Sequence, residues 1–289
     1  MIRPAPTNPA LRRIRRMPRR ALGLLRYAVA RADGCLRGQP CPACGHPSVV
    51  RSRPALTPGL IQAWELSPEW IARFEHREGT YCPVCGNNER ARQLARVLVE
   101  TLNRDYQLSA RSLAELVAAP ALASLRLAEI NSCGGLHRWL QLLPGVVYSE
   151  YGGADGVRQE DLMSLTFGDA SFDLVLTSET LEHVPDVPRA LAEIRRILRP
   201  GGQHVFTVPV IWDRPRSRTC AQRQGETLVH LRPPSYHGSP GQREEDMMVM
   251  TEFGADLMET LAHAGFEVSL EKDAVNPALC TFVTRKAAS

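Results

Sequence analysis

Four cysteines in two matched motifs carry the most specific chemical signal in the chain. Cys41-Pro42-Ala43-Cys44-Gly45 and Cys82-Pro83-Val84-Cys85-Gly86 each set two thiols two residues apart, ahead of a glycine. That gap lets both sulfurs of a pair face one ion, and the glycine lets the turn fold back so that backbone amides reach them. Two such turns complete a tetrahedral four-thiolate zinc site with no open position, which makes its role structural. One C-x-x-C would equally suit a redox pair, but two with proline and glycine in register favour metal. Cys220 and Cys280 read as passive thiols. With no secretory signal in view, the cysteines point to a reducing compartment rather than a disulfide framework.

A second set of residues consists of acids at the ends of apolar runs. Glu129-Ile130-Asn131-Ser132-Cys133-Gly134-Gly135 closes one run and precedes a helical stretch from Leu136. A small-residue turn there is expected to leave backbone N–H groups free at a helix N-terminus, suited to a carboxylate or phosphate. Glu150 ends the next run about 20 residues later, where an acid can accept both hydroxyls of a ribose. Asp161 follows in Glu160-Asp161-Leu162, and a further run ends in Thr177-Ser178-Glu179.

The elements that must position these residues follow from hydrophobic patterning. Short apolar runs at 125–130, 146–148, 172–177 and 204–208 read as buried strands with helices between them. Ala190, Leu191, Ile194, Ile197 and Leu198 form one apolar helix face, closed by Pro200-Gly201-Gly202. This alternation predicts an α/β fold with a doubly wound parallel sheet, whose ligands sit beyond the carboxyl ends of the strands. Further strands are expected at 267–270 and 280–284. Ahead of the sheet, a helix is predicted at 59–75 with Leu60, Trp64 and Ile71 as core positions. Another, at 88–102, carries Leu94, Val97, Leu98 and Leu102 at helical spacing.

Length and composition bound the answer further. The chain has 289 residues, a prior of about two domains. Its 44% hydrophobic and 23% charged content is ordinary for a folded protein and excludes wholesale disorder. No apolar run approaches a membrane span. The net charge of +4 hides an asymmetry: residues 1–31 hold nine arginines and no acid, leaving 26 basic and 31 acidic side chains elsewhere. In this arm the apolar stretch Ala21-Leu22-Gly23-Leu24-Leu25 is cut by Arg26, too short for a secretory h-region. The arm reads first as a solvated terminus, and second as a helix touching an anionic membrane, with nucleic acid as a further partner. The expected organisation is a basic arm at 1–35, a zinc ribbon with connecting helix at 36–105, and a catalytic domain at 106–289.

The stretch 159–208 resembles the class I S-adenosylmethionine-dependent methyltransferases. Glu160-Asp161-Leu162, Phe167, Ser171-Phe172-Asp173-Leu174-Val175, Leu181-Glu182-His183-Val184 and Leu198-Arg199-Pro200-Gly201-Gly202 follow that family's order and spacing. The chain from about 41 to 285 is similar to a bacterial subgroup with an N-terminal C-P-x-C-G zinc ribbon, through Cys82 to Arg90 and Arg232-Pro233-Pro234-Ser235-Tyr236-His237-Gly238. The resemblance implies a Rossmann-like seven-stranded sheet with an antiparallel last strand, and S-adenosyl-L-methionine as cofactor. It implies that Glu129 and Gly135 flank the methionine end, Glu150 takes the ribose, and Asp161 with Leu162 meets the adenine. Ser178, just past the run at 172–177, completes that set. Asn131 and Cys133 stand where the family pattern has its first two glycines. Asn tolerates a left-handed backbone, whereas Cys133 adds a side chain where backbone is expected to approach the cofactor.

Methyl transfer needs alignment of nucleophile and sulfonium above all, and a base when the nucleophile is a hydroxyl. Candidate catalytic residues are His183, Tyr236 and His237, with His230 as a further base. Against this stands a structural reading of His183, its ring bonded to a nearby carbonyl. The last three lie in an insert at about 211–250, which the resemblance implies is a substrate segment. Its Trp212, Arg214, Arg216 and Arg218 would suit a sugar phosphate, a carboxylated glycan or a nucleic-acid backbone. The expected function is therefore methyl transfer to a small-molecule or saccharide acceptor, at oxygen, by a cytoplasmic protein, with peripheral contact at the inner face of the membrane as the second reading of its arm. An RNA methyltransferase and a non-catalytic binding module are the alternatives.

Overall fold

The computed structural model describes residues 39–47, 49–152, 156–225, 227–237 and 247–288. The basic arm and the nucleic-acid and membrane contacts expected of it lie outside the described residues, as does Gly238. Among the described residues no helix is long and apolar enough to cross a membrane.

The described residues begin with a cysteine turn and β1 (Arg51–Ser52), then α1 (Pro58–Ala63), α2 (Pro68–Gly79), β2 (Thr80–Tyr81), α3 (Glu89–Tyr106) and α4 (Leu113–Leu116). The single helix expected at 59–75 is two helices. Glu65 adopts a left-handed backbone (φ 51°), and Ser67 caps α2 by accepting from the Trp70 N–H, with Pro68 in its first turn. A proline suits that first turn and cannot extend the helix before it. The break changes which side chains are buried: Trp64 is buried as expected, but Trp70 and Phe74 join it, while Leu60 and Ile71 are only partly covered. Helix α3 runs close to expectation, capped by the Asn88 side chain, with Leu94, Val97, Leu98 and Leu102 all buried.

The main sheet is built from β3 (Leu127–Ile130), β4 (Val146–Glu150), β5 (Arg158–Gln159), β6 (Phe172–Ser178) and β7 (Leu198–Thr207), with β12 and β13 at its far edge. Helices α5 (His137–Leu140) and α6 (Val187–Ile197) fall between these strands. Beyond β7 the chain forms β8 (Arg218–Thr219), β9 (Ala221–Gln224), β10 (Thr227–His230) and β11 (Thr251–Glu252). It closes with α7 (Leu257–His263), β12 (Phe266–Lys272) and β13 (Cys280–Lys286). The spatial order is β12-β13-β7-β6-β3-β4-β5, parallel except for β13, which is antiparallel to both neighbours. This is a Rossmann-like, seven-stranded mixed sheet whose last strand is antiparallel, as the resemblance implied. Successive strands run outward from β3 through β4 to β5, then return to β6 beside β3. The reversal puts the ligand crevice between the carboxyl ends of β3 and β6.

One boundary differs from expectation. Pro200-Gly201-Gly202 does not close the helix; α6 ends at Ile197 and β7 starts at Leu198. Phe172 pairs with Leu198 and Leu174 with Gln203, so the Pro-Gly-Gly segment bulges from the ladder, with Gly201 at φ 77°. A bulge of this kind admits a proline that a regular ladder excludes.

Two apolar layers sandwich the sheet. On one face, Leu94, Leu98 and Leu102 of α3 pack with Leu127, Leu174, Leu176 and Val205, and this cluster is continuous with Cys41, Cys82 and Cys85. On the other, Leu191 and Ile194 of α6 and Leu257 and Leu261 of α7 meet Val175, Phe206 and Phe282. The cysteine turns thus share a core with the sheet.

Candidate active site and metal clusters

The two cysteine turns are near copies. Gly45 and Gly86 have φ of 74° and 76°. Their N–H groups donate to the Cys41 and Cys82 carbonyls at 2.7 and 2.8 Å, while the Cys41 and Cys82 N–H groups donate to the carbonyls of His46 and Asn87. A side chain at either glycine would strain the left-handed backbone, which is why each motif ends there. The four sulfurs converge, with Cys41 Sγ 3.7 Å from Cys85 Sγ and Cys44 Sγ 4.0 Å from Cys82 Sγ, and all four within 4.8 Å of one another. A tetrahedron with Zn–S bonds of 2.3 Å has edges of about 3.8 Å, so the donor set fits zinc. A hydrogen bond from the Cys85 thiol outweighs burial and, with the amides of Cys44 and Ala43, lowers Cys41 to about 4.

At the crevice, Glu129 is fully buried at the end of β3. Burial raises its pKa, opposed by the Cys133 N–H at 2.8 Å and by His137 Nδ1–H at 2.7 Å. His137 in turn lies 4.2 Å, centroid to centroid, from Tyr148, whose hydroxyl donates to Glu150. Asn131 is left-handed (φ 57°); its N–H donates to the Ser149 carbonyl and its side-chain oxygen accepts from the Tyr151 N–H. Two of the turn's amides are engaged within the turn. The Cys133 N–H goes to Glu129 and the Gly134 N–H to Ser132 Oγ, because the turn's own side chains reach these donors first. The Cys133 side chain is buried in the core beneath the turn, and burial pushes its thiol up.

Gly135 packs against the N-terminal unit. A Cβ there would lie 2.4 Å from Asn87 Oδ1, on the second cysteine turn, so this glycine lets that turn settle onto the crevice. Arg138 donates to the Cys85 carbonyl from the same side. Asp161 accepts from the Met163 N–H through one oxygen, and Leu162 beside it is buried. Ser178 Oγ accepts from Arg90 at 2.6 Å and bonds Thr207. Glu129, Asn131, Glu150 and Ser178 thus ring one strand-end crevice. Its near wall is the N-terminal unit.

That wall is held by charges no sequence pattern singles out. Arg77, 1% exposed, makes two bonds to Glu179 at 2.6 and 2.8 Å and also meets Glu78; Arg90 bonds Glu78 at 3.1 Å. Burial works against the charge on Glu179, but Arg77 and Arg90 outweigh it and hold the carboxyl at about 2.

The proposed bases separate. Tyr236 pairs with Met248 in a short antiparallel bridge, flanked by Val249 N–H to Ser235 O and His237 N–H to Met247 O. Side chains alternate along such a segment. Ser235 therefore points inward to accept from the Trp64 indole, His237 also points inward, and Tyr236 is turned to the surface at 40% exposure. His183 and His237 come together, ring centroids 4.8 Å apart, with Trp64 edge-on to His237 at 5.5 Å. His183 Nδ1–H donates to the Met248 carbonyl, the bond its structural reading foresaw, while burial lowers its pKa. Burial lowers His237 to about 3. His230 is exposed on β10. The insert's arginines are paired rather than free for an anion: Arg214 with Glu252, Arg216 with Glu259 and Arg218 with Glu65.

Residues 145–206 match the family model described as "Methyltransferase domain". Over that segment the chain is similar to a methyltransferase domain. The matched segment holds Glu150, Asp161 and Ser178. Over 46 residues the chain is 50% identical to O-methyltransferase cnsE of Penicillium expansum, covering 16% of this chain and 17% of that one. Over 43 residues it is 46% identical to 27-O-demethylrifamycin SV methyltransferase of Amycolatopsis mediterranei, covering 15% and 16%. An uncharacterized 37.1 kDa protein in transposon TN4556 of Streptomyces fradiae is 47% identical over 53 residues, 18% of this chain and 15% of its own. The chain thus spans about a sixth of the length of these curated relatives. Among solved structures, the 1,6-didemethyltoxoflavin-N1-methyltransferase of Burkholderia thailandensis is similar at 17% identity, covering 83% of this chain and 94% of that one with a TM-score of 0.44.

Proposed function

We propose that the chain is an S-adenosyl-L-methionine-dependent methyltransferase acting on an oxygen of a small-molecule or saccharide acceptor. The observation that carries the reading is the crevice at the strand-order reversal. There Glu129, Asn131, Glu150 and Ser178 converge, within or beside the segment that matches a methyltransferase domain. Glu150 accepts from Tyr148 and is only partly buried, a carboxylate fit for ribose hydroxyls. Asp161 and Leu162 follow β5 as the adenine-side pair, and Gly134 opens onto space a side chain would not fill against any neighbour. When bound, the cofactor supplies an electrophilic methyl group. The chain's task is to exclude water and align the acceptor, and alignment accounts for much of the acceleration in such displacements. Zinc at Cys41, Cys44, Cys82 and Cys85 has a structural part, fixing Asn87 against Gly135 and Arg90 against Ser178.

Titration calorimetry of the zinc-loaded protein with S-adenosyl-L-methionine and S-adenosylhomocysteine tests the reading. Micromolar binding, lost in Glu150→Ala and Asp161→Ala with the fold intact, supports it. Absence of binding up to millimolar concentration overturns it.

A further inference from the structure

The carboxylate of Glu182 is the least satisfied polar group near the crevice. It is 1% exposed, in the helical turn directly after β6, and neither oxygen has a hydrogen-bond partner among the described residues. A buried carboxyl without partners is costly and calls for an explanation. Two imidazoles face it. His183 Nε2 is 3.8 Å and His237 Nε2 4.0 Å from Glu182 Oε1, and one ligand atom from each residue lies within 4.8 Å of the other two. His237 Nε2 is itself buried and without a hydrogen-bond partner.

We propose that Glu182, His183 and His237 form a second metal site, which takes a divalent first-row transition cation and keeps open positions for an oxygen ligand. Three features of the surroundings support it. His183 donates its other ring N–H to the Met248 carbonyl, which fixes the tautomer with the Nε2 lone pair toward Glu182. Metal-bound histidines are held by a bond of this kind. The charges nearby also leave room for a cation: Arg77 and Arg90 are balanced by Glu78 and Glu179, and Glu182 is the surplus negative group. Two imidazoles and one carboxylate are a donor set for such ions, with coordination positions left over. Metal–ligand bonds near 2.1 Å require the three side chains to close by under about 1 Å. His237, on the insert, is the most exposed of the three at 21%.

The site lies four residues past Ser178, beside the methyl-transfer crevice. Its role rests on the methyltransferase reading: the cation would bind the acceptor oxygen and lower the pKa of a hydroxyl there, which leaves neither histidine the work of a general base. The existence of the site does not rest on that reading.

The test is Co2+ added to the zinc-loaded protein, followed by absorption. Binding of one equivalent, with d–d bands but no thiolate-to-cobalt charge transfer, is the expected result. His237→Ala and Glu182→Gln should each weaken it at least about tenfold while one zinc per chain stays at the cysteines. Acetohydroxamate should then shift the cobalt bands, since the open positions accept oxygen. No cobalt bound beyond the zinc, affinity unchanged in both variants, or bands indifferent to acetohydroxamate would each overturn the proposal. S-adenosylhomocysteine titrated into the same samples reports on the methyltransferase reading separately. Cobalt binding without it keeps the site and removes its role, and the converse removes the site alone.

Discussion

The two side-chain clusters of this molecule differ in almost every respect that matters to a ligand. The four cysteines come from two local turns of the same design, are closed, and are tied by backbone bonds on every side. The Glu182–His183–His237 group joins a turn after a sheet strand to an insert more than fifty residues later, is open on one side, and contains polar atoms with no partner. The geometry of the first suits one closed structural ion; the second holds buried polar atoms with no hydrogen-bond partner among the described residues. Such strain is what a site for exchangeable ligands retains, and it is offset elsewhere in the structure.

The largest contrast should appear on removing a ligand from the closed cluster. Cys41→Ser, or extraction of the metal by a chelator, removes an ion whose binding in small thiolate sites is worth roughly 10 kcal/mol or more of folding free energy. Because Cys41, Cys82 and Cys85 share a core with α3 and the central strands, the loss is expected to spread into the sheet. Zinc content by mass spectrometry should fall below one equivalent with a large drop in Tm. A variant that retained one zinc and its Tm would remove the four-cysteine site from the account.

Next in size is the ion pair that joins the two regions. Arg77→Met leaves Glu179 buried with only Arg90 for compensation, and breaking a buried pair from one side costs about 3–5 kcal/mol. Replacing Glu179 as well, in Arg77→Met/Glu179→Met, should recover most of it, since the penalty lies in the orphaned charge. Denaturant unfolding of the two variants beside the unsubstituted protein measures this. A single-site loss below about 1 kcal/mol would mean the pair behaves as an exposed one.

A smaller effect tests the contact between the cysteine turn and the glycine turn. Gly135→Ala puts a methyl 2.4 Å from Asn87 Oδ1 and should cost about 1–3 kcal/mol. Adding Asn87→Ala removes the clash, so the double variant should be more stable than Gly135→Ala alone. Were the pair simply additive, Gly135 would owe its identity to the crevice rather than to the wall.

How much of this was legible in the residues tracks the distance over which each feature is encoded. The cysteine turns, the Asn88 cap and the apolar runs of β3, β4 and β6 are local, and a short stretch of sequence contains everything that forms them. The break at Glu65 and the bulge at Pro200 are local but ambiguous, because Pro after Ser67 and Pro-Gly-Gly after Leu198 each permit more than one course of the chain. Arg77–Glu179 and Asn87–Gly135 were not legible, since they depend on how one face docks on another. The candidate bases show the same divide. Adjacent positions 236 and 237 look equivalent in sequence, yet the bridge to Met248 sends one outward and the other in, and a register shift of one would have exchanged them.

The smallest effect is also the one of opposite sign. Glu182→Met replaces a buried carboxyl that lacks hydrogen bonds with an apolar side chain of similar length. Burial, and then the charge of Glu179, push that carboxyl's pKa well above the usual carboxylate range, and neither of its oxygens has a hydrogen-bond partner among the described residues. Removing such a group relieves a desolvation cost, and a gain of about 1 kcal/mol is expected. Cobalt binding should vanish in the same variant. Loss of a cysteine ligand would thus unfold what it touches, whereas loss of this ligand would tighten it. That difference in sign distinguishes a site that makes the fold from a site the fold carries at a cost. Equal destabilisation by both variants would show that Glu182 serves the core, and would leave the two histidines without a reason to face it.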